Sequence, residues 1–132
     1  MYDSWPLIVL VEDSSTQATQ IAAILSRYKA RVMIAGDGLQ GLRLVHSQAP
    51  NLIILDVNLP NMDGYQVCQR LKRDPETRHI PVILMTALVT AEATMRGIEV
   101  GANDFIAKDK FTKENLIATV NAYLGIIVGE RI

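Results

Sequence analysis

The sequence is poor in cysteine, in aromatic residues and in surplus charge, and each scarcity excludes a class of protein. Cys68 is the only cysteine, so an internal disulfide and a cysteine metal cluster are both excluded. Thirteen basic and fourteen acidic side chains give a net charge of -1, which does not indicate a nucleic-acid partner. We find no signal peptide and no apolar run of membrane-spanning length, so we expect a cytoplasmic protein with no membrane partner.

The residues that are present have the composition of a small domain with an aliphatic core. A chain of 132 residues can bury one core, and 49% of its residues are apolar although only 5% are aromatic. Such a core favours helices packed on a sheet over an aromatic-rich β domain. We therefore expect a single domain over residues 1–132, with its core in residues 7–124 and a C-terminal tail at residues 125–132.

The segment 51–64 is the centre of this organisation. Its unbroken apolar run, Leu52 to Leu55, is typical of a strand that is buried on both faces of a parallel sheet. Asp56 follows, and because an unpaired buried charge is costly, we expect it where the strand opens to water. Turn residues come next, namely Pro60, Asn61, Asp63 and Gly64. Asp56 is therefore predicted at the C-terminal end of a central strand, where ligands bind in open α/β sheets.

Strands and helices alternate along the whole chain. The pattern predicts five strands, at residues 6–11, 31–35, 51–56, 81–86 and 104–107. A helix follows each strand, and the expected caps are Ser14, Asp37, Asp63, Thr90 and Thr112. Ser14 and Gln17 have the spacing of a capping box. Strict alternation with short loops predicts a (βα)5 fold with a parallel sheet and right-handed crossovers.

Five polar residues stand at the predicted C-terminal ends of four strands. If the strand order is 2-1-3-4-5, the first and third strands are neighbours and these residues share one edge. They are Glu12 and Asp13 after the first strand, Asp56 after the third, Thr86 at the end of the fourth and Lys108 after the fifth.

This constellation predicts a metal-assisted phosphoryl transfer site. Three clustered carboxylates, those of Glu12, Asp13 and Asp56, repel one another, and a hard divalent cation such as Mg²⁺ relieves that repulsion. Phosphoryl transfer needs an in-line nucleophile and positive charge around the transferring oxygens. We assign Asp56 as the nucleophile and Lys108 as the clamp on those oxygens. Thr86 would donate a hydrogen bond to the phosphoryl group.

Over residues 7–124 the chain resembles the receiver domain of two-component response regulators, including the stand-alone chemotaxis regulators. The resemblance is carried by Glu12-Asp13, the stretch from Asp56 to Gly64, Thr86-Ala87 and the segment 105–108. It implies a flavodoxin-like, doubly wound α/β fold whose five-stranded parallel sheet has the order 2-1-3-4-5. It also implies a phosphoacceptor signalling domain rather than an enzyme, although such a domain assists its own phosphorylation and dephosphorylation.

The family resemblance also implies roles for particular residues. Asp56 would accept the phosphoryl group from a sensor histidine kinase or a histidine phosphotransfer protein. The main-chain carbonyl of Asn58 would join the three acids as a Mg²⁺ ligand. Thr86 and Phe105 would form a conformational switch. A downstream protein would bind the face formed by helix four, strand five and helix five, near residues 90–124.

Two other functions stay open at this point. A haloacid-dehalogenase-type aspartyl-phosphate phosphatase also uses Asp, Thr, Lys and Mg²⁺, but such enzymes carry an Asp-x-Asp motif after the first strand. In this chain the first strand ends in Glu12-Asp13 instead. A pseudo-receiver would keep the fold as an interaction module without the chemistry, against which the complete set of five residues argues. Whether the chain stands alone or is a fragment of a longer protein is also open.

Several residues outside this set have structural interpretations. Cys68 is expected to pack as a small hydrophobe, and His46 and His79 are interpreted as surface residues that are neither donors nor ligands. Met62, Met85 and Met95 are expected to fill the core or turns, and Trp5 to lie at the end of the sheet opposite Asp56.

Two further expectations concern the C-terminal quarter. The family usually has proline after the lysine, whereas Asp109 follows Lys108 here. A cis bond before a residue other than proline costs about 2.5–4 kcal/mol, so we expect Lys108–Asp109 to be trans. The aliphatic residues 126–128 are expected to be covered by the domain, by a second copy in a homodimer, or by a downstream segment.

Overall fold

The structure is a computed structural model that describes residues 4–87, 89–108 and 113–125. Within these residues strands and helices alternate in the predicted order. The elements are β1 (Leu7–Val11), α1 (Ser15–Leu25), β2 (Arg31–Ala35), α2 (Gly38–Gln48), β3 (Leu52–Asp56), α3 (Gly64–Arg73), β4 (Val82–Thr86), α4 (Ala91–Glu99), β5 (Asp104–Ala107) and α5 (Lys113–Leu124).

The strands form a parallel sheet in the order β2-β1-β3-β4-β5. Every consecutive pair is therefore joined by a helical crossover, as parallel strands require. In the register, Val11 of β1 lies beside Leu55 of β3, and Asp56 lies beside Met85 of β4. The predicted flavodoxin-like (βα)5 fold with the strand order 2-1-3-4-5 is confirmed.

Alternation along each strand divides the core into two layers. Val9 and Ile53 face the layer that contains buried residues of α2 and α3, against which Phe105 packs. Ile8 and Ile54 face the layer that contains buried residues of α1 and α5. The central strands β1, β3 and β4 are buried along their whole length, which is why their sequences read as continuous apolar runs.

The predicted helix starts at Asp37, Asp63 and Thr90 are confirmed, because each side chain accepts a hydrogen bond from a main-chain amide three residues on. The box predicted at the start of α1 is only half formed. Ser14 Oγ accepts from the amide of Gln17 at 3.3 Å, but the amide of Ser14 donates to Glu12 Oε2 at 3.1 Å. The glutamine side chain is therefore available for another partner.

Hydrogen bonds between side chains and main-chain groups close the amino ends of the strands. Asn51 Oδ1 accepts a hydrogen bond from the amide of Leu7 at 2.8 Å, and Asn103 Oδ1 accepts from the amide of Val82 at 2.9 Å. Trp5 lies at this end, as predicted, and its carbonyl accepts from Arg31 Nε at 3.2 Å. The two asparagine bonds satisfy main-chain amides at the first residues of β1 and β4.

Two sequence-based interpretations are wrong. Met95 is 61% exposed on α4 and does not fill the core. His46 is on the surface but has partners, since its Nε2 lies 2.8 Å from Asp74 Oδ2 and its Nδ1 lies 2.8 Å from the carbonyl oxygen of Leu42. By contrast, Cys68 and Met85 are fully buried, as expected.

Three expectations fall outside the described residues and stay predictions. They are the cap at Thr112, the trans bond between Lys108 and Asp109, and the covered tail at residues 126–128. Among the residues that are described, no helix is long and apolar enough to cross a bilayer.

Candidate functional site

Strand periodicity explains why three charged side chains meet at the carboxyl edge of the sheet. Glu12 continues the alternation of Ile8 and Leu10, and Asp56 continues that of Ile54, so both belong to the layer of α1 and α5. Lys108 follows β5 at the same parity as Ile106, which also faces that layer. Because β1 and β3 are adjacent, the two acids become neighbours.

Lys108 is the centre of the observed geometry. Its Nζ donates to Asp56 Oδ2 at 2.7 Å, to Gln17 Oε1 at 2.9 Å and to Glu12 Oε1 at 3.0 Å. The other oxygens of the two acids also have partners: Asp56 Oδ1 accepts from the amide of Asn58 at 3.0 Å, and Glu12 Oε2 from that of Ser14. The two predicted acids are thus brought within hydrogen-bond reach of the predicted cation, Lys108.

The acids are buried, and their charges are compensated locally. The side chains of Glu12 and Asp56 are 1% and 2% exposed, whereas that of Lys108 is 23% exposed. Burial raises the pKa of Glu12, partly offset by hydrogen bonds from Ser14 and Lys108. Burial would lower the pKa of Lys108, but its hydrogen bonds to Asp56 and Glu12 outweigh that effect and raise this pKa. Losing the ammonium would therefore leave two buried carboxylates facing each other.

The three acids fit a hard divalent cation. Oxygens of Glu12, Asp13 and Asp56 lie within 4.8 Å of one another, and Asp13 is exposed while the other two are buried. Carboxylate oxygens with an open, water-facing side are what Mg²⁺ prefers. The amide of Asn58 holds Asp56, so the predicted carbonyl ligand lies on the same loop, immediately after the acid.

Gly64 lets α3 begin directly against the end of β3. Its amide donates to the carbonyl of Val57 at 2.9 Å. A Cβ at this position would collide with the main chain of Asp56 and Val57, so another residue would push the loop off the strand. The glycine thus fixes the close approach that holds the Asp56 loop.

Thr86 and Phe105 belong to the other layer, that of α2 and α3, because Phe105 packs against it and Thr86 continues the alternation of Val82 and Leu84. Phe105 lies beside Leu84 in the register, and Thr86 lies beside Ala107, so the predicted switch residues are diagonal neighbours on adjacent strands. Thr86 is buried, and Phe105 is half-buried with its ring against Gly97 of α4. The space that the ring occupies exists because residue 97 has no side chain.

Sequence reasoning missed two features, Gln17 at the site and the ion pair of His46 with Asp74. The signal for Gln17 was its position, since the first turn of α1 follows directly after Glu12 and Asp13 at the carboxyl edge. For His46 and Asp74 the signal was weaker, because the two residues are far apart in sequence and no motif links them.

Glu76 adds a third side chain that could bind a metal near His46 and Asp74, within 4.8 Å of both. This group is at the surface, and the contact of its histidine with Asp74 is an ion pair when the ring is protonated. It lies at the ends of α2 and α3, away from Asp56 at the carboxyl end of the sheet.

Comparisons with known proteins identify the arrangement. A family model described as the response regulator receiver domain matches residues 8–121. The chain is 42% identical over 101 residues to the response regulator PleD of Caulobacter vibrioides, covering 76% of this chain and 22% of PleD. It is 32% identical over 117 residues to the protein PilH of Pseudomonas aeruginosa, covering 89% of this chain and 96% of PilH.

A solved structure gives the same result. The receiver domain of the sensor histidine kinase PA1611 from Pseudomonas aeruginosa has a TM-score of 0.83 and 30% identity, covering 92% of this chain and 99% of that one. That structure is described with a magnesium ion coordinated in its active-site cleft. The chain spans less than half the length of several curated relatives that it matches, PleD among them.

Proposed function

Because the chain belongs to the response regulator receiver domain family, we propose that Asp56 accepts a phosphoryl group from a phosphohistidine. The donor is a sensor histidine kinase or a histidine phosphotransfer protein. A carboxylate oxygen of Asp56 forms the new bond to phosphorus, the phosphorus–nitrogen bond of the donor breaks, and the imidazole leaves with the electron pair and takes up a proton. The product is an aspartyl phosphate, which changes the conformation of the domain and signals to a partner or an output domain.

The contact between Lys108 Nζ and Asp56 Oδ2, 2.7 Å long, carries this proposal. It puts a cation against a buried carboxylate at the open edge of the sheet, where an incoming phosphoryl group brings further negative charge. An ammonium already in place compensates that charge without reorganisation at the moment of reaction. Thr86, at the end of the adjacent strand β4, supplies a hydroxyl on the other side.

Mg²⁺ is the proposed cofactor, held by Glu12, Asp13, Asp56 and the main-chain carbonyl of Asn58. It supplies positive charge to the oxygens of the transferring group. This chain's own part is to gather the three acids by the β1–β3 pairing, and to present the exposed Asp13 to the solvent from which the ion arrives. The magnesium described for the PA1611 receiver supports the choice of metal.

The conformational response is proposed to run through Thr86 and Phe105. The phosphoryl group would draw the Thr86 hydroxyl toward Asp56, and Phe105 would move from Gly97 into the space that is vacated. Phosphorylation shifts such an equilibrium only through its different interactions with the two states. Exposed apolar residues of α4, Met95 and Ile98, support the predicted partner surface of helix four, strand five and helix five.

The extent, location and assembly of the domain are also proposals. Residues 1–132 are proposed to form a single receiver domain in the cytoplasm, as a monomer or a homodimer, with no enzymatic activity beyond its own phosphorylation and dephosphorylation. The family membership favours this function over a haloacid-dehalogenase-type phosphatase. A pseudo-receiver shares the fold, and therefore only a chemical experiment distinguishes it.

Treatment with acetyl phosphate and Mg²⁺, followed by intact-mass measurement, tests the proposal. We expect one added phosphoryl group on the native chain and none on the Asp56→Asn variant. Asp74→Asn is the matched control, because it removes a carboxylate from a surface ion pair and should leave the adduct unchanged. Continuous turnover would indicate a phosphatase, a native chain without an adduct would indicate a pseudo-receiver, and an adduct on Asp56→Asn would contradict the assignment.

A further inference from the structure

We propose that Gln17 is a positioning residue that holds the Lys108 ammonium beside Asp56 throughout phosphoryl transfer. This inference rests on the proposed function and adds a residue to its site. It starts from the bond between Lys108 Nζ and Gln17 Oε1, at 2.9 Å, which joins the first turn of α1 to the residue after β5.

A lysine ammonium has three N–H donors, and here each has an acceptor. Two acceptors are the carboxylates of Asp56 and Glu12, at 2.7 and 3.0 Å, and the third is the neutral amide oxygen of Gln17. With all three donors satisfied from three elements, the flexible lysine stem is held in one position. Because its side chain is 23% exposed, the amine would otherwise exchange these partners for water.

The three acceptors differ in what the reaction requires of them. Asp56 must attack phosphorus, and Glu12 is a proposed metal ligand. Both carboxylates therefore bind other partners during the transfer and cannot also hold the amine. Gln17 carries no charge and has no other part in the chemistry. It can therefore keep one hydrogen bond to the amine while the other two N–H groups turn to the oxygens of the phosphoryl group.

The start of α1 is built so that this side chain can reach Lys108. In α3 the equivalent glutamine, Gln66, closes a capping box by accepting from the amide of Asp63 at 3.0 Å. In α1 the amide of Ser14 donates to Glu12 Oε2 instead, so Gln17 is not required to complete the cap. Two helices thus have glutamine at the same position with different roles. Gln66 completes the cap of α3, whereas Gln17 of α1 accepts a hydrogen bond from Lys108.

The helix also gives Gln17 a fixed base. Ala18, Ile21 and Leu25 are buried against the sheet, and Gln17 lies beside them on the first turn. The neighbouring Gln20 is likewise exposed, one turn further from the carboxyl edge. It therefore offers a control with the same residue type, the same helix and the same substitution.

A double-mutant cycle tests the inference, with the rate constant for phosphorylation by acetyl phosphate at saturating Mg²⁺ as the measurement. The proteins are the native chain, Gln17→Met, Lys108→Met, the double variant, and Gln20→Met as control. Methionine keeps the length of glutamine and removes the acceptor. Thermal unfolding of each protein checks that the fold is intact, and Gln17→Met should match Gln20→Met in that measurement.

We expect Gln17→Met to be slower by roughly threefold to tenfold, the range for the net contribution of one ordinary hydrogen bond, because the site is partly exposed. Gln20→Met should equal the native chain, and Gln17→Met should have no further effect once Lys108 is methionine. An equal loss in both backgrounds, or a Gln17→Met rate equal to that of Gln20→Met, would overturn the inference alone. A native chain without an adduct at Asp56 would overturn the proposed function and this inference with it.

Discussion

The two ends of the same sheet are stabilised in opposite ways. At the amino end, neutral groups of Asn51 and Asn103 complete the hydrogen bonds of main-chain amides. At the carboxyl end, buried Glu12 and Asp56 carry like charges that depend on Lys108 for compensation. At the amino end each main-chain amide keeps a fixed hydrogen-bond partner. At the carboxyl end the two carboxylates depend on an ammonium group whose hydrogen bonds can change during a reaction.

The difference indicates which residues serve the stability of the fold and which serve its chemistry. Replacing the neutral bonds should cost stability and spare chemistry, whereas changing the charges should alter chemistry and metal response. Both ends belong to one sheet and form together when it folds. Variants at the two ends can therefore be compared directly, to test whether stability and chemistry depend on different residues.

The largest expected effect is that of Mg²⁺ on the carboxyl end. A ligand at one hundred times its Kd stabilises the folded state by about 2.7 kcal/mol if it binds only that state. We expect saturating Mg²⁺ to raise Tm in the native chain and to do so far less in Asp13→Asn, which removes an exposed carboxylate of the proposed site. Thermal unfolding with and without Mg²⁺ measures this.

A monovalent salt at equal ionic strength provides the control, because general screening would act through any salt. An unchanged Mg²⁺ response in Asp13→Asn would place the ion elsewhere. The amino-end variant Asn103→Ala should keep the native response, which would sharpen the contrast between the two ends.

The next effect concerns the Phe105 ring beside the carboxyl end. A Cβ at position 97 would collide with the ring, so Gly97→Ala must displace either Phe105 or α4. Overpacking of this kind costs about 1–3 kcal/mol, measured as the free energy of unfolding in urea. Gly36→Ala is the matched control, because a Cβ there would meet only the Gln40 side chain at an ordinary 3.8 Å. Equal stability of the two variants would contradict the contact.

A somewhat smaller effect is expected at the amino end. Asn103→Ala leaves the buried amide of Val82 without its acceptor, which costs about 1–2 kcal/mol. Asn103→Asp keeps an acceptor oxygen at that place and should lose less. The phosphorylation rate of Asn103→Ala should equal that of the native chain; a large drop would mean that the two ends are coupled.

The smallest effect is that of pH on the surface pair of His46 and Asp74, which lies at the ends of α2 and α3. The hydrogen bond to Asp74 raises the pKa of His46 above its ordinary 6.5, and the bond to His46 lowers the pKa of Asp74 below 3.8. The pair is therefore complete between those two values. Its contribution is lost as pH rises through the raised pKa of His46 or falls through the lowered pKa of Asp74.

We expect His46→Gln to lower Tm slightly near pH 6 and to have no effect at a higher pH, above the raised pKa of His46, where the imidazole is neutral. His79→Gln is the control on the other histidine. A difference that persists unchanged at the higher pH would show that His46 acts through packing or its bond to Leu42 rather than through its charge.

Much of this contrast could be predicted from the sequence, and the parts that could not have physical reasons. The position of Asp56 was predictable because a charged residue directly after a buried apolar strand must lie at the end of that strand, where the sheet opens to water. Gln17 was not, since its use depends on whether the main-chain amide of Ser14 donates to the Gln17 side chain or to Glu12, which spacing alone does not decide. Met95 was misjudged because an apolar residue at helical spacing does not reveal whether a neighbour covers it.

Cys68 gives the chain a built-in reporter of opening between α3 and α4. The thiol is fully buried, and burial raises its pKa to about 11 while its Sγ donates to the carbonyl of Val100 at 3.5 Å. At neutral pH it is therefore protonated and inaccessible, so alkylating reagents react only after local separation has exposed it. The labelling rate at this cysteine thus measures how often the two helices separate, and a change in that rate on phosphorylation would report a change in how α4 packs on α3.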